Sequence, residues 1–149
     1  MTGENDEFDL QDFLPFLLNQ AAEAAALDFQ RIYKGRYGLL RTEWRVLFHL
    51  GVFGTLTAKE IGLRASLHKT KISRAVHRLE QRRYLKRTRD EKDRRVEWLV
   101  LTTSGLSVYR ELRETAAKYD AKLASAFTTE EVTMLRKMLR RLAGSGIPV

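Results

Sequence analysis

The stretch Ala58-Lys59-Glu60-Ile61-Gly62-Leu63-Arg64-Ala65-Ser66-Leu67-His68-Lys69-Thr70-Lys71-Ile72-Ser73-Arg74-Ala75-Val76-His77-Arg78-Leu79-Glu80-Gln81-Arg82 decides the fold. Apolar residues recur in it twice at helical spacing, with a break between the two runs. Ala58 to Arg64 reads as a brief helix burying Ile61 and Leu63, and Ala65-Ser66-Leu67 as a tight turn. His68 to Arg82 reads as a second helix that buries Ile72, Val76 and Leu79. Its other faces carry Lys69, Thr70, Lys71, Ser73, Arg74, His77 and Arg78. Two helices across a tight turn, the second with a basic polar face, make a helix-turn-helix pattern. An α-helix fits the major groove of duplex DNA, and the N-terminal residues of such a helix are the ones that reach base edges.

After Arg82 the apolar period changes from 3.6 to 2. Leu85 to Arg89 and Val96 to Leu101 read as two strands, the second presenting Val96, Trp98 and Val100 on one face. Asp90-Glu91-Lys92-Asp93-Arg94-Arg95 joins them as a polar tip too charged to bury, placed to reach a minor groove or a phosphate. Thr102-Thr103-Ser104-Gly105 opens a long helix through Leu106, Tyr109, Leu112, Ala116, Tyr119 and Leu123. Thr128 and Glu131 form a capping box for a last helix striped with Val132, Leu135, Met138, Leu139 and Leu142, which Gly144 and Pro148 end.

Upstream, Met1–Asp12 reads as a loose acidic tail. A helix starting near Asp12 or Pro15 runs to about Lys34, where Gly35 and Gly38 break it. A further helix from Thr42 to Phe53 carries Glu43 in its first turn, where a carboxylate suits the helix dipole. Trp44, Val46, Leu47, Phe48, Leu50, Val52 and Phe53 make it apolar on nearly every side. Its polar stripe, Arg45 and His49, is either a solvent-facing edge or the wall of a cavity. Gly54 ends this helix, and Thr55-Leu56-Thr57 reads as a short extended piece.

The chain has 149 residues, 44% hydrophobic and 31% charged, which fits one soluble domain. The net charge is +8, and its placement is uneven: Arg41 to Leu101 holds 16 Lys/Arg against 7 Asp/Glu. A positive field concentrated there favours a polyanion as partner, either nucleic acid or an anionic membrane. A membrane surface is disfavoured because the basic helix lacks a broad apolar face. The absence of cysteine excludes disulfides, thiolate metal sites and thiol switches. The acidic start is unlike a secretion signal, so the expected location is cytoplasmic.

Trp44-Arg45-Val46-Leu47, His68-Lys69-Thr70-Lys71-Ile72-Ser73-Arg74-Ala75-Val76, Asp93-Arg94-Arg95 and Leu101-Thr102-x-x-Gly105 together resemble the MarR family of bacterial winged helix-turn-helix regulators. The resemblance runs from about Leu14 to Leu142. It implies a mainly α (α+β) fold in a single domain. Residues 41–101 would form the winged helix-turn-helix DNA-binding lobe, and residues 13–40 and 102–143 the dimerisation helices. It also implies a homodimer that binds a palindromic double-stranded DNA operator and represses transcription. Ser73 and Arg74 match positions that commonly contact DNA, with Arg74 suited to a guanine edge. Arg95 would be the wing arginine entering the minor groove beside Arg94, with Asp93 orienting it. Lys69, Lys71, Arg78, Arg87 and Arg89 would contact phosphates, while His77 stays open between base, phosphate and solvent.

The resemblance further implies a small aromatic or anionic effector. Phe16, Trp44, Arg45, Phe48 and His49 are its candidate walls, although Trp44 and Phe48 read first as core residues. Two positions depart from the family pattern: Arg83 replaces a common glycine, and His68 a serine-type helix cap. No cofactor or metal is expected, since His49, His68 and His77 are the only histidines and lie in unrelated contexts. Phosphate-binding glycine loops, H-E-x-x-H and G-x-S-x-G are missing, which argues against an enzyme. The alternative function is an architectural DNA-binding module without a small-molecule response.

Overall fold

The computed structural model describes residues 7–144. The helices are α1 (Leu14–Tyr37), α2 (Arg41–Phe53), α3 (Ala58–Ala65), α4 (Lys69–Gln81), α5 (Thr103–Ala124) and α6 (Thr129–Leu142). Strands β1 (Leu85–Arg89) and β2 (Glu97–Leu101) stand between α4 and α5. The architecture is therefore mainly α-helical with a small β-hairpin. The chain divides into two compact units, Met1–Arg113 and Glu114–Val149, with the boundary inside α5.

In the first unit α2, α3 and α4 pack on one another, and the hairpin packs on α2, α3 and α4. Val46, Leu47 and Leu50 of α2, Ile61 of α3, Ile72, Val76 and Leu79 of α4, and Leu85 and Leu99 of the hairpin are buried together with Leu112 of α5. Burying each such side chain contributes on the order of 1.5–3 kcal/mol, which is what holds these short elements in place. The strands pair antiparallel from Leu85↔Leu101 to Arg89↔Glu97. Leu56 bridges to Leu99, so the extended piece before α3 becomes a third rung.

The sequence motif Leu101-Thr102-x-x-Gly105 has a packing cause. Thr102 donates its amide to the Tyr84 carbonyl at 3.0 Å, and its Oγ1 accepts the Gly105 amide at 3.0 Å. A Cβ on Gly105 would stand 1.9 Å from the Tyr84 carbonyl oxygen, so only glycine lets α5 start this close to the hairpin. In the second unit, Thr128 and Glu131 form the expected capping box, and α6 buries none of its own residues. Leu135, Met138, Leu139 and Leu142 are exposed along it.

Several expectations are corrected. Leu10–Asp12 is a 3-10 turn, capped by Asp9 through the Gln11 amide at 2.9 Å, so the acidic tail is ordered from there. Gly35 does not break α1, which continues to Tyr37 and closes on Gly38 at φ 64. Leu63 is 76% exposed: α3 turns Ile61 and Ala65, four apart, inward, which points Leu63 outward. In the second strand the fully buried side chain is Leu99, while Val96, Trp98 and Val100 are half-buried, because the core-facing register includes the Leu56 rung. Val52 and Phe53 are exposed, so α2 is buried along one side rather than all round. Leu123 is exposed as well. Pro148 lies outside the described residues.

Candidate nucleic-acid interface

The α3–α4 turn is set by local chemistry. Thr57 and Glu60 form a capping box that starts α3, a T-x-x-E spacing legible in the sequence but not singled out there. Ser66 closes α3 in the left-handed region at φ 53. His68 caps α4, its Nδ1 accepting the Thr70 amide at 3.5 Å, so an imidazole nitrogen takes the part that a hydroxyl usually plays.

Burial of Ile72, Ala75, Val76 and Leu79 turns the opposite side of α4 to solvent. Lys69, Thr70, Lys71, Ser73, Arg74, His77 and Arg78 are all exposed there. Lys69, Ser73 and His77 form one i, i+4 stripe, and Thr70, Arg74 and Arg78 run beside it. Arg78 is not a free cation, however. Its Nε lies 3.5 Å from the buried Glu43 carboxylate.

At the hairpin tip, Asp93 Oδ1 accepts both the Arg95 amide at 3.1 Å and the Arg95 Nε at 3.2 Å. The Arg95 side chain is 91% exposed, so this pair contributes little stability but gives the guanidinium a fixed departure direction. Arg89 and Arg94 are exposed on the same hairpin. Arg87 differs from the expected phosphate contact. Its guanidinium bridges Glu80 and Glu97, each at 3.1 Å. Partial burial alone would lower its pKa, but the Glu97 and Glu80 contacts outweigh that and raise it. A cation neutralised by two carboxylates has less to offer a phosphate. Among these elements a cleft of about 590 Å³ opens between α3, α4 and the hairpin, floored by Leu67, Ile72, Val76 and Leu99 with Lys59 and Lys69 at its edge.

The five candidate effector residues divide into groups. Trp44 and Phe48 stack edge-to-face at 5.2 Å, Trp44 also meets Phe29 at 5.4 Å, and Phe48 meets Tyr109 at 5.2 Å. Gly51 permits the last contact, since a Cβ there would meet the Tyr109 ring at 2.4 Å. Arg45 donates to the Ala65 carbonyl at the end of α3. Burial lowers its pKa, helped by the neighbouring Arg41 charge. His49 Nδ1 lies 2.6 Å from the Arg45 carbonyl oxygen. Phe16 is half-buried on α1 and is not part of the Trp44–Phe48 ring ladder.

Sequence reasoning assigns Glu43 only a helix-dipole role and Arg82 none, and singles out Arg83 as a departure from glycine. Glu43 is completely buried. Arg82 binds backbone carbonyls of Tyr37 and Gly38. Arg83 adopts φ 63, the left-handed conformation that the missing family glycine would favour. Among the described residues no His/Asp/Glu group is arranged to hold a metal, and no helix is long and apolar enough to cross a membrane.

A helix-turn-helix followed by a β-hairpin, with cations exposed on both the second helix and the tip, defines the winged helix-turn-helix class of DNA-binding proteins. Residues 37–96 match the family model described as "MarR family", so this segment of the chain is similar to that family of transcriptional regulators. It is 28% identical over 127 residues to the HTH-type transcriptional regulator MhqR of Bacillus subtilis (strain 168), covering 85% of this chain and 88% of that protein. It is 24% identical over 137 residues to the homoprotocatechuate degradative operon repressor of Escherichia coli, covering 92% of each. The PcaV transcriptional regulator from Streptomyces coelicolor, solved in complex with its natural ligand, superposes with a TM-score of 0.79 at 25% identity. That match covers 95% of this chain and 99% of PcaV.

Proposed function

We propose that the protein is a ligand-responsive transcriptional repressor that binds a palindromic operator as a homodimer. The observation that carries this reading is the pairing of two exposed cationic features on one lobe. These are the α4 face bearing Lys69, Thr70, Lys71, Ser73 and Arg74, and the tip bearing Arg94 and an Asp93-oriented Arg95. The α4 residues read base edges and phosphates in a major groove, and Arg95 enters the adjoining minor groove. The exposed apolar stripe of α6 supports dimerisation through the terminal helices, because a stripe of this kind in water calls for a partner. Two recognition helices related by a twofold axis require half-sites about one helical turn apart.

The effector is a small aromatic or other anionic molecule seated against Phe16, Trp44, Arg45, Phe48 and His49. Arg45 supports this, since a half-buried guanidinium with a lowered pKa gains most from an incoming carboxylate. The relation to PcaV, solved with its natural ligand, is in keeping with it.

The decisive experiment measures binding to a duplex carrying the intergenic sequence beside this protein's gene, against a scrambled duplex, across a salt series. Preference for the native duplex at two chains per site is expected. Release of that duplex by one of a panel of aromatic carboxylates, with the protein still folded, would distinguish a sensor from an architectural module. Failure to bind either duplex at low salt would overturn the reading.

A further inference from the structure

The C-terminal end of α4 is fastened on two sides. On one side Arg82, the cap of α4, sends its guanidinium to α1: Nη1 donates to the Tyr37 carbonyl, and Nη2 to the Gly38 carbonyl at 3.0 Å. These carbonyls belong to the last residue and the cap of α1, where no further helical amide is available to bond them. They also carry the negative end of the α1 dipole, so a guanidinium is well matched to the place. Gly38 eases the approach. It holds φ 64, and a Cβ there would lie 3.1 Å from Arg82 Nη2.

On the other side the next two residues are tied to the start of α5. The Arg83 carbonyl accepts Thr102 Oγ1 at 2.6 Å, and the Tyr84 carbonyl accepts the Thr102 amide at 3.0 Å. Arg82, Arg83 and Tyr84 thus connect the end of α4 to both flanking helices. All four bonds end on backbone carbonyls, which move only when the elements themselves move. The Arg82 side chain carries the whole of the α1 side of this junction, and a substitution can remove it without altering the backbone.

We propose that Arg82 is a positioning residue that couples α4 to the α1–α2 connection. Occupation of the α4 face by DNA is then registered at Gly38 and Leu39, and displacement of α1 in turn resets the angle at which α4 meets the groove. Both ends of the Arg82 fork are engaged, so this arginine is not a phosphate contact despite lying in the basic segment. The proposal rests on α4 being the DNA-reading helix.

Hydrogen exchange on the full chain tests it, with and without the intergenic duplex, for the wild type, Arg82→Met and Arg82→Lys. The reporters are the amides of Gly38 and Leu39, which bond to the Lys34 and Tyr33 carbonyls. In the wild type, duplex should slow exchange at both of them as well as along α4. Arg82→Met should bind the duplex roughly three- to tenfold more weakly, the scale of one ordinary net hydrogen bond, because only part of the loss reaches the groove. At saturation it should protect α4 but leave Gly38 and Leu39 unresponsive. Arg82→Lys keeps the charge and one reach, so it should restore part of the response; it also serves if the methionine variant melts too early. An equal response at Gly38 and Leu39 in wild type and both variants overturns the coupling, as does silence there in a wild type whose α4 is protected. A wild type whose α4 gains no protection from any duplex instead removes the DNA-reading premise, and the proposal with it.

Discussion

The carboxylate of Glu43 is fully buried in the first turn of α2, and the Nε of Arg78 on α4 lies 3.5 Å from its Oε2. Neither Glu43 oxygen accepts a hydrogen bond among the described residues, so this guanidinium is the one counter-charge shown beside it. The Arg78 side chain is half exposed. An isolated buried carboxylate is costly, which explains why an arginine on the solvent-exposed side of α4 is held toward Glu43.

Removing that counter-charge should therefore cost more than removing an exposed arginine. Arg78→Ala is expected to lower unfolding free energy by about 1–3 kcal/mol, the half-exposure of Arg78 keeping it below a fully buried pair. Adding Glu43→Gln to that variant should recover part of the loss. Urea melts of the three proteins decide it, and an unchanged midpoint for Arg78→Ala would dismiss the pair as ornamental.

Arg95→Ala should act on binding alone. With the side chain almost entirely in solvent, melting should stay within error of the wild type, whereas affinity for the intergenic duplex should fall about tenfold. Asp93→Asn should give a smaller loss, because the backbone and Nε contacts are weakened rather than the cation removed. Equal affinity across all three would take the tip out of the interface.

Lys71→Ala should weaken native and scrambled duplex alike and lower the salt dependence by about one counterion. A change confined to one base position would make Lys71 a reader of sequence.

Gly105→Ala should be far more damaging than an ordinary helix substitution. Its Cβ would fall 1.9 Å from the Tyr84 carbonyl oxygen, so either α5 or the hairpin has to move. A loss of more than about 3 kcal/mol is expected, in the range that steric overpacking reaches. A circular-dichroism melt matching the wild type would refute the close approach.

Tyr37 gives an alkaline signature. Its pKa is pushed up to about 12, by burial first and by the adjacent Glu111 next. Below pH 10 the phenol is neutral in both folded and unfolded chains, so its contribution is fully present. Between the ordinary value of 10.0 and about 12 the unfolded chain ionises first, and that stability is lost as pH rises. Tyr37→Phe should flatten this part of the stability profile; an unchanged slope would argue against the shift.

Much of the fold was readable because it rests on periodicity. The helix pair around Ser66, the change of period at Leu85 and the Thr128 capping box each carry a local signal. The misreadings have specific causes. Hydrophobicity alone puts Leu63 inside, although Ile61 and Ala65 already define the inner face of an eight-residue helix. Gly35 reads as a breaker, yet nothing lies within 4 Å of the space a Cβ would take, and a helix tolerates one glycine at about 1 kcal/mol. The cations of the basic segment looked equivalent in sequence. In space Arg78, Arg82 and Arg87 are bound to Glu43, to the α1 terminus and to Glu80 with Glu97, while Lys69, Lys71, Arg74 and Arg95 project into solvent. Nothing local in the chain separates these sets, because each partner lies on a different element or across a strand pair.

The rung between Leu56 and Leu99 has a mechanical consequence for the hairpin. Leu99 sits in the middle of the five paired positions, opposite Arg87. At about 3.4 Å per residue, the ladder from base to last pair measures roughly 14 Å, and anchoring its midpoint leaves about half of that as a free arm. A five-degree tilt would carry the end of an unanchored ladder through roughly 1.2 Å, but the end of the shortened arm through about 0.6 Å. Leu56 thus acts as a fulcrum that limits the sweep of the tip, converting a two-stranded ribbon into a stiff pointer for Arg95.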